Sequence, residues 1–133
     1  MPYRQLEHEA DLALEVWGAD QAALLSEAAL ALAEIMGART ESGSASVDIA
    51  VAGLDEADAL VRWLQEVLYW ITVKGLRLKL VEAAPGANFA VSGRLSGQWS
   101  PAPLECEIKA VTYHGLKIVE TPGRRTARLV CDL

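Results

Sequence analysis

Leu12, Leu14 and Val16 in "DLALEVWG" alternate with Asp11, Ala13 and Glu15, the period-two pattern of a half-buried strand. Gly18-Ala19 ends that run, and Asp20 supplies an N-cap oxygen for the segment that follows. There, "QAALLSEAALALAEIMG" is rich in Ala and Leu, with Leu24, Ala28, Ala31 and Ile35 on one face at helical spacing. Gly37 marks its end. "ARTESGSAS" reads as a polar loop and "VDIAVAG" as a short alternating strand. "LDEADALVRWLQEVLYWITVKG" predicts a second helix, with Ala57, Leu60, Val61, Leu64, Val67, Leu68 and Ile71 inward and Lys74-Gly75 closing it.

The rest of the chain alternates with period two. "LRLKLVEA" and "FAVSGRLSG" flank "APGAN" and predict a hairpin. "LECEIKAV" predicts a strand with Leu104, Cys106, Ile108 and Ala110 on one face. After "TYHG" come "LKIVE", the turn "TPGRR" and a final strand "TARLVCDL". Strand, helix, strand, helix and then a run of strands indicate an α+β fold: one two-layer domain over residues 1–133, a mainly antiparallel sheet with two helices packed on one face.

Composition narrows the function classes. A chain of 133 residues, 52% hydrophobic and 23% charged, is long enough to bury a core without a metal or disulfide staple. Twelve basic against 18 acidic residues give a formal charge of -6, and the densest basic cluster, Arg124-Arg125, sits in a turn. That excludes autonomous nucleic-acid binding through a phosphate-neutralising stripe. An acidic body suits a metal or a basic cleft on another protein. Cys106 and Cys131 lack zinc-site spacing, and on apolar strand faces both are expected as buried free thiols. No apolar h-region or membrane-length stretch occurs, so a cytoplasmic protein without a membrane partner is expected.

Candidate chemistry concentrates in "EHEAD", "TYHG" and the terminal "CDL". No nucleophilic triad, phosphate-cradling glycine loop or HExxH motif is present, and no catalytic residue is assigned. Asp11 and Asp132 both turn away from the apolar face of their strands. Were the first and last strands neighbours, those side chains and the Leu133 carboxylate would converge, and such a cluster would need a cation to be favourable. All-oxygen ligands suit a hard ion such as calcium or magnesium. The competing reading is a set of solvated acids at a chain end. His8 lies between Glu7 and Glu9, and His114 precedes Gly115; each reads either as a structural residue or as a phosphate or proton contact. Trp63 and Trp70, seven residues apart, form a stripe that is either core or a partner surface.

Together the three segments resemble the archease family, whose pattern is "H-[TS]-A-D", then "K-A-[VI]-T-Y-H", then a terminal "hydrophobic-x-D-hydrophobic". The matching residues are His8-Glu9-Ala10-Asp11, Lys109-Ala110-Val111-Thr112-Tyr113-His114 and Val130-Cys131-Asp132-Leu133. The resemblance spans essentially the whole chain. It implies a non-catalytic activator of an RtcB-type RNA ligase, assisting the GTP-dependent guanylylation of that enzyme in tRNA splicing and RNA repair. It also implies a divalent metal, calcium in family members and with magnesium or manganese as alternatives, on Asp11, Asp132 and Leu133. His8, Glu9, Lys109 and His114 are further metal or partner contacts under this reading. Glu9 departs from the family's small hydroxyl residue and adds a carboxylate on the Asp11 side. Two readings of other classes are a metal-dependent phosphate-ester hydrolase using His114 or His8 as general acid, and a chaperone-like binder using the tryptophan stripe.

Overall fold

The structure is a computed structural model and describes residues 2–6 and 11–133. In chain order these form β1 (Tyr3–Leu6), β2 (Leu12–Gly18), α1 (Gln21–Met36), β3 (Ala45–Ala52), α2 (Glu56–Thr72), β4 (Leu76–Pro85), a 3₁₀ turn (Ala87–Phe89), β5 (Ala90–Trp99), β6 (Ala110–Thr121) and β7 (Arg124–Asp132). The α+β class read from the sequence is the one observed. Among the described residues the strands make two antiparallel sheets rather than one, ordered β1-β2-β7-β6 and β3-β5-β4. The break between them is residues 101–109, where the predicted strand over "LECEIKAV" does not form before Ala110. Pro101 and Pro103 offer no N–H to a ladder. The segment is instead tied down piecewise: the Arg77 guanidinium donates to Ala102 O, and Glu105 N–H donates to Met36 O at 2.9 Å. Cys106 therefore lies half-buried in this segment, while Cys131 is buried as expected.

Each helix packs against strands of both sheets, α1 on β2 and β4, α2 on β6 and β3. That position explains why α1 is apolar nearly all round. Leu24, Leu25, Ala28, Ala29, Ala31, Leu32, Ala33 and Met36 are all buried, and the many alanines let the neighbouring elements approach closely. Asp20 caps α1 by accepting the Ala23 N–H at 2.8 Å, and Gly37 ends it with φ 71°. Asp55 caps α2 in the same way, accepting the Asp58 N–H at 2.8 Å. No helix among the described residues is long and apolar enough to cross a membrane.

The tryptophan stripe divides. Trp63 is fully buried and donates its indole N–H to Leu25 O at 3.0 Å, joining α2 to α1. Its ring lies so close to β5 that a Cβ at Gly93 would stand 2.4 Å from it, so only glycine fits opposite. Trp63 is thus core and not available as a partner surface. Trp70 is half-buried and forms an aromatic group with Tyr69 and Trp99, at centroid separations of 5.5 and 6.3 Å.

Candidate functional site

The β2–β7 ladder decides which residues share an end of the molecule. Its register pairs Leu14 with Leu129, Ala13 with Val130 and Leu12 with Cys131. Asp11 and Asp132 are the next residues beyond that last pair, Asp11 in a bend before β2 and Asp132 at the end of β7. The first and last long strands are therefore neighbours, as the convergence of these two acids requires. On the other side Asp132 pairs with Ala110 of β6, and its carbonyl accepts the Lys109 N–H at 2.8 Å. Asp132 is flanked by the start of one strand and the Asp11 end of another.

Burial and charge differ sharply over these few residues. Asp132 and Leu133 are exposed, Asp11 is half-buried, and Cys131 between the ladders is fully buried. The Cys131 thiol is pushed up to about 12, first by burial and then by the negative charges of Asp132 and Asp11. Both carboxylates thus act on the same thiol. Cys131 is a buried free cysteine packed in the core. Among the described residues no three His, Cys, Asp or Glu residues form a group that could hold a metal ion. The register brings one end of β2 beside one end of β7, with Asp11 preceding Leu12 and with Asp132 and Leu133 following Cys131. His8 and Glu9 lie outside the described residues.

His114 stands on an irregularity in β6. Thr112 is opposite Val130 and Lys117 is opposite Arg128, so five steps along β6 match two along β7. This bulge carries Tyr113, His114, Gly115 and Leu116, with Gly115 at φ 64° permitting the turn. The predicted strand–turn–strand over "TYHG" is in fact one long bulged strand. Lys109 and His114 are both exposed. Thr112 Oγ1 donates to Val130 O at 2.9 Å and accepts the His114 N–H at 3.3 Å.

Sequence reasoning missed Asp58. It looks like an ordinary first-turn acid of α2, yet it is 8% exposed and collects three hydrogen bonds. Its Oδ2 accepts the Leu54 N–H at 2.8 Å and Arg62 Nε at 2.9 Å, and its Oδ1 accepts the Tyr113 hydroxyl at 2.6 Å. The Tyr113 hydroxyl and the Leu54 N–H hold its carboxyl below the usual range, and the same bond raises the Tyr113 phenol above its own. The available signal was the spacing Asp55-x-x-Asp58, in which the residue three past an N-cap reaches back to a backbone N–H.

The sequence profile of the Archease protein family matches residues 3–133. The chain belongs to the archease family. A protein archease from Methanopyrus kandleri is 32% identical, with the whole of both chains covered. Among solved structures, an archease from Thermotoga maritima, described as a possible chaperone, is 26% identical with a TM-score of 0.67, covering 98% of this chain and 96% of that one. The solution structure of a Methanobacterium thermoautotrophicum protein shares the fold with a TM-score of 0.74 at 24% identity, covering 99% of each chain. The two-sheet arrangement above is thus the archease fold.

Proposed function

We propose that this archease-family protein is a non-catalytic activator of an RtcB-type RNA ligase, promoting its GTP-dependent guanylylation and turnover in tRNA splicing and RNA repair. The observation that carries the reading is the β2–β7 register, which makes Asp11 and Asp132 successive to a shared pair at one end of the molecule. Two carboxylates set side by side repel, and a hard divalent cation such as calcium relieves that repulsion. Asp11, Asp132 and the main-chain oxygens of Leu133 would hold it, an all-oxygen set without thiolate. Bound there, the ion would offer positive charge to the phosphates of a ligase–GTP complex. The chain's own part is to present that end, with Lys109 just before the adjoining strand β6 and His114 on its bulge as contacts to partner or nucleotide. A body with formal charge -6 favours encounter with a basic active-site cleft, and added salt weakens that attraction.

The test is a reconstituted ligation. Substoichiometric chain added to an RtcB-type ligase with GTP and RNA ends is expected to raise both guanylate incorporation and product per ligase beyond one turnover. Alone, it should turn over neither phosphodiesters nor nucleotides. Unchanged ligase turnover at every concentration, or metal-dependent hydrolysis by the chain itself, would overturn the proposal.

A further inference from the structure

The segment from Lys109 to Gly115 is gripped from two sides by side chains. On the β7 side the grip is Thr112 Oγ1 on Val130 O. On the α2 side it is double. Gln65 Oε1 accepts the Val111 N–H at 3.1 Å, and Asp58 Oδ1 accepts the Tyr113 hydroxyl at 2.6 Å. Asp58 and Gln65 are seven residues apart, two helical turns, so one face of α2 presents both. The two bonds meet β6 at alternate residues, Val111 and Tyr113, immediately before His114.

The bulge creates a need for such a grip. Five steps of β6 against two of β7 put the register shift between Thr112 and Lys117, and a bulge containing glycine depends on side-chain bonds to fix its path. Asp58 can fix it because Asp58 is itself fixed: the Leu54 N–H and Arg62 occupy its other oxygen, and burial leaves the carboxylate committed as an acceptor. Tyr113 is 59% exposed, and its hydroxyl is anchored on Asp58.

We propose that Asp58 and Gln65 are positioning residues, a splint from α2 that fixes the Val111–Tyr113 stretch and thereby sets where His114 and Lys109 stand relative to the Asp11–Asp132 end. This rests on the activator reading for its functional consequence but not for its structural one. A bond that only capped α2 would use the Leu54 N–H; the Tyr113 hydroxyl and the Val111 N–H do nothing for the helix terminus.

The experiment uses Tyr113→Phe, which removes only the tether and leaves the cap, with Gln65→Ala at the exposed second tether, and the double variant. Melting temperature and circular dichroism establish that each is folded. Two readouts follow: amide hydrogen exchange at residues 111–114, and ligase stimulation resolved into its maximal rate and the concentration giving half of it. The splint predicts faster exchange confined to 111–114 and a maximal rate reduced by about 10- to 100-fold in the double variant, the scale of a misplacement near 1 Å. The half-maximal concentration should change by less than about threefold, because docking is untouched while orientation is lost. Wild-type exchange at 111–114 overturns the splint whatever the ligase does. A raised half-maximal concentration at full maximal rate also overturns it, since these residues would then be docking contacts. Asp132→Ala in the same assay separates the failures. If it abolishes stimulation while the double variant stimulates fully, only the positioning claim falls. If wild type gives no stimulation, the activator reading falls and exchange alone decides the splint.

Discussion

Trp63→Ala is expected to destabilise the protein by roughly 3–5 kcal/mol, the range for truncating a fully buried tryptophan. Three losses combine. The indole is the largest fully buried side chain and its removal opens a cavity between α1, α2 and β5. The indole hydrogen bond to Leu25 O, which ties α2 to α1, is lost as well. Gly93 opposite has no side chain that could move in to fill the space. For a domain of this size the loss corresponds to a melting temperature lower by roughly 10–20 °C. Thermal denaturation followed by circular dichroism measures it, and a shift of a degree or two would mean that the helix–helix contact is not a keystone of the core. The same variant bears on a chaperone-like role through the tryptophan stripe. Loss of partner binding by Trp63→Ala reports unfolding, so only Trp70 and Trp99, half-buried and exposed respectively, can test such a surface.

Asp11→Ala and Asp132→Ala are expected to do the opposite: to leave the fold intact and remove function. Asp11 is half-buried and Asp132 exposed, and neither belongs to the hydrophobic core, so truncating one opens no core cavity. Melting temperature should stay within a few degrees of wild type. Stimulation of an RtcB-type ligase should fall at least by the roughly 10- to 100-fold typical of losing even an outer partner of a metal ligand. Because the two acids would share one ion, the double variant should be no worse than the more severe single. Additive losses, or full stimulation by both singles, would separate these acids from the activating step.

The strength of the alternation decided what the sequence could reveal. β2, β7 and the β4–β5 hairpin were legible because inward Leu, Val and Ile recur every second residue. The two helices were legible because Asp20, Gly37 and Lys74-Gly75 punctuate long apolar faces. β1 passed unnoticed: "YRQL" has four residues and too few apolar positions to register a period. "LECEIKAV" misled for the opposite reason, since its alternation is genuine but Pro101 and Pro103 and the hold of Arg77 on Ala102 keep residues 101–109 out of any ladder. Division into two sheets depends on which strands pair across the chain, a long-range choice that no local pattern encodes.

The site was legible in part. Outward parity on two strands singled out Asp11 and Asp132, and the family resemblance implied that they share an ion, which requires those strands to be neighbours. The ladder then bears out that adjacency, while the role of the acids as ligands stands as a proposal. Asp58, Gln65 and Arg77 were not legible, because each matters through a partner 55, 46 or 25 residues away in the chain, respectively. A helical acid, an amide and a strand arginine look alike in sequence whether they face water or a distant backbone atom.

Calcium titration of the purified protein by calorimetry, with backbone amide shifts recorded in parallel, tests the shared-ion claim most directly. The predicted result is one ion per chain, amide shifts centred on Leu12, Lys109, Cys131 and Leu133, and loss of binding in Asp11→Ala and in Asp132→Ala alike. Binding that survives in either single variant, or no binding at millimolar calcium, magnesium or manganese, would contradict a cation held jointly by these two strands.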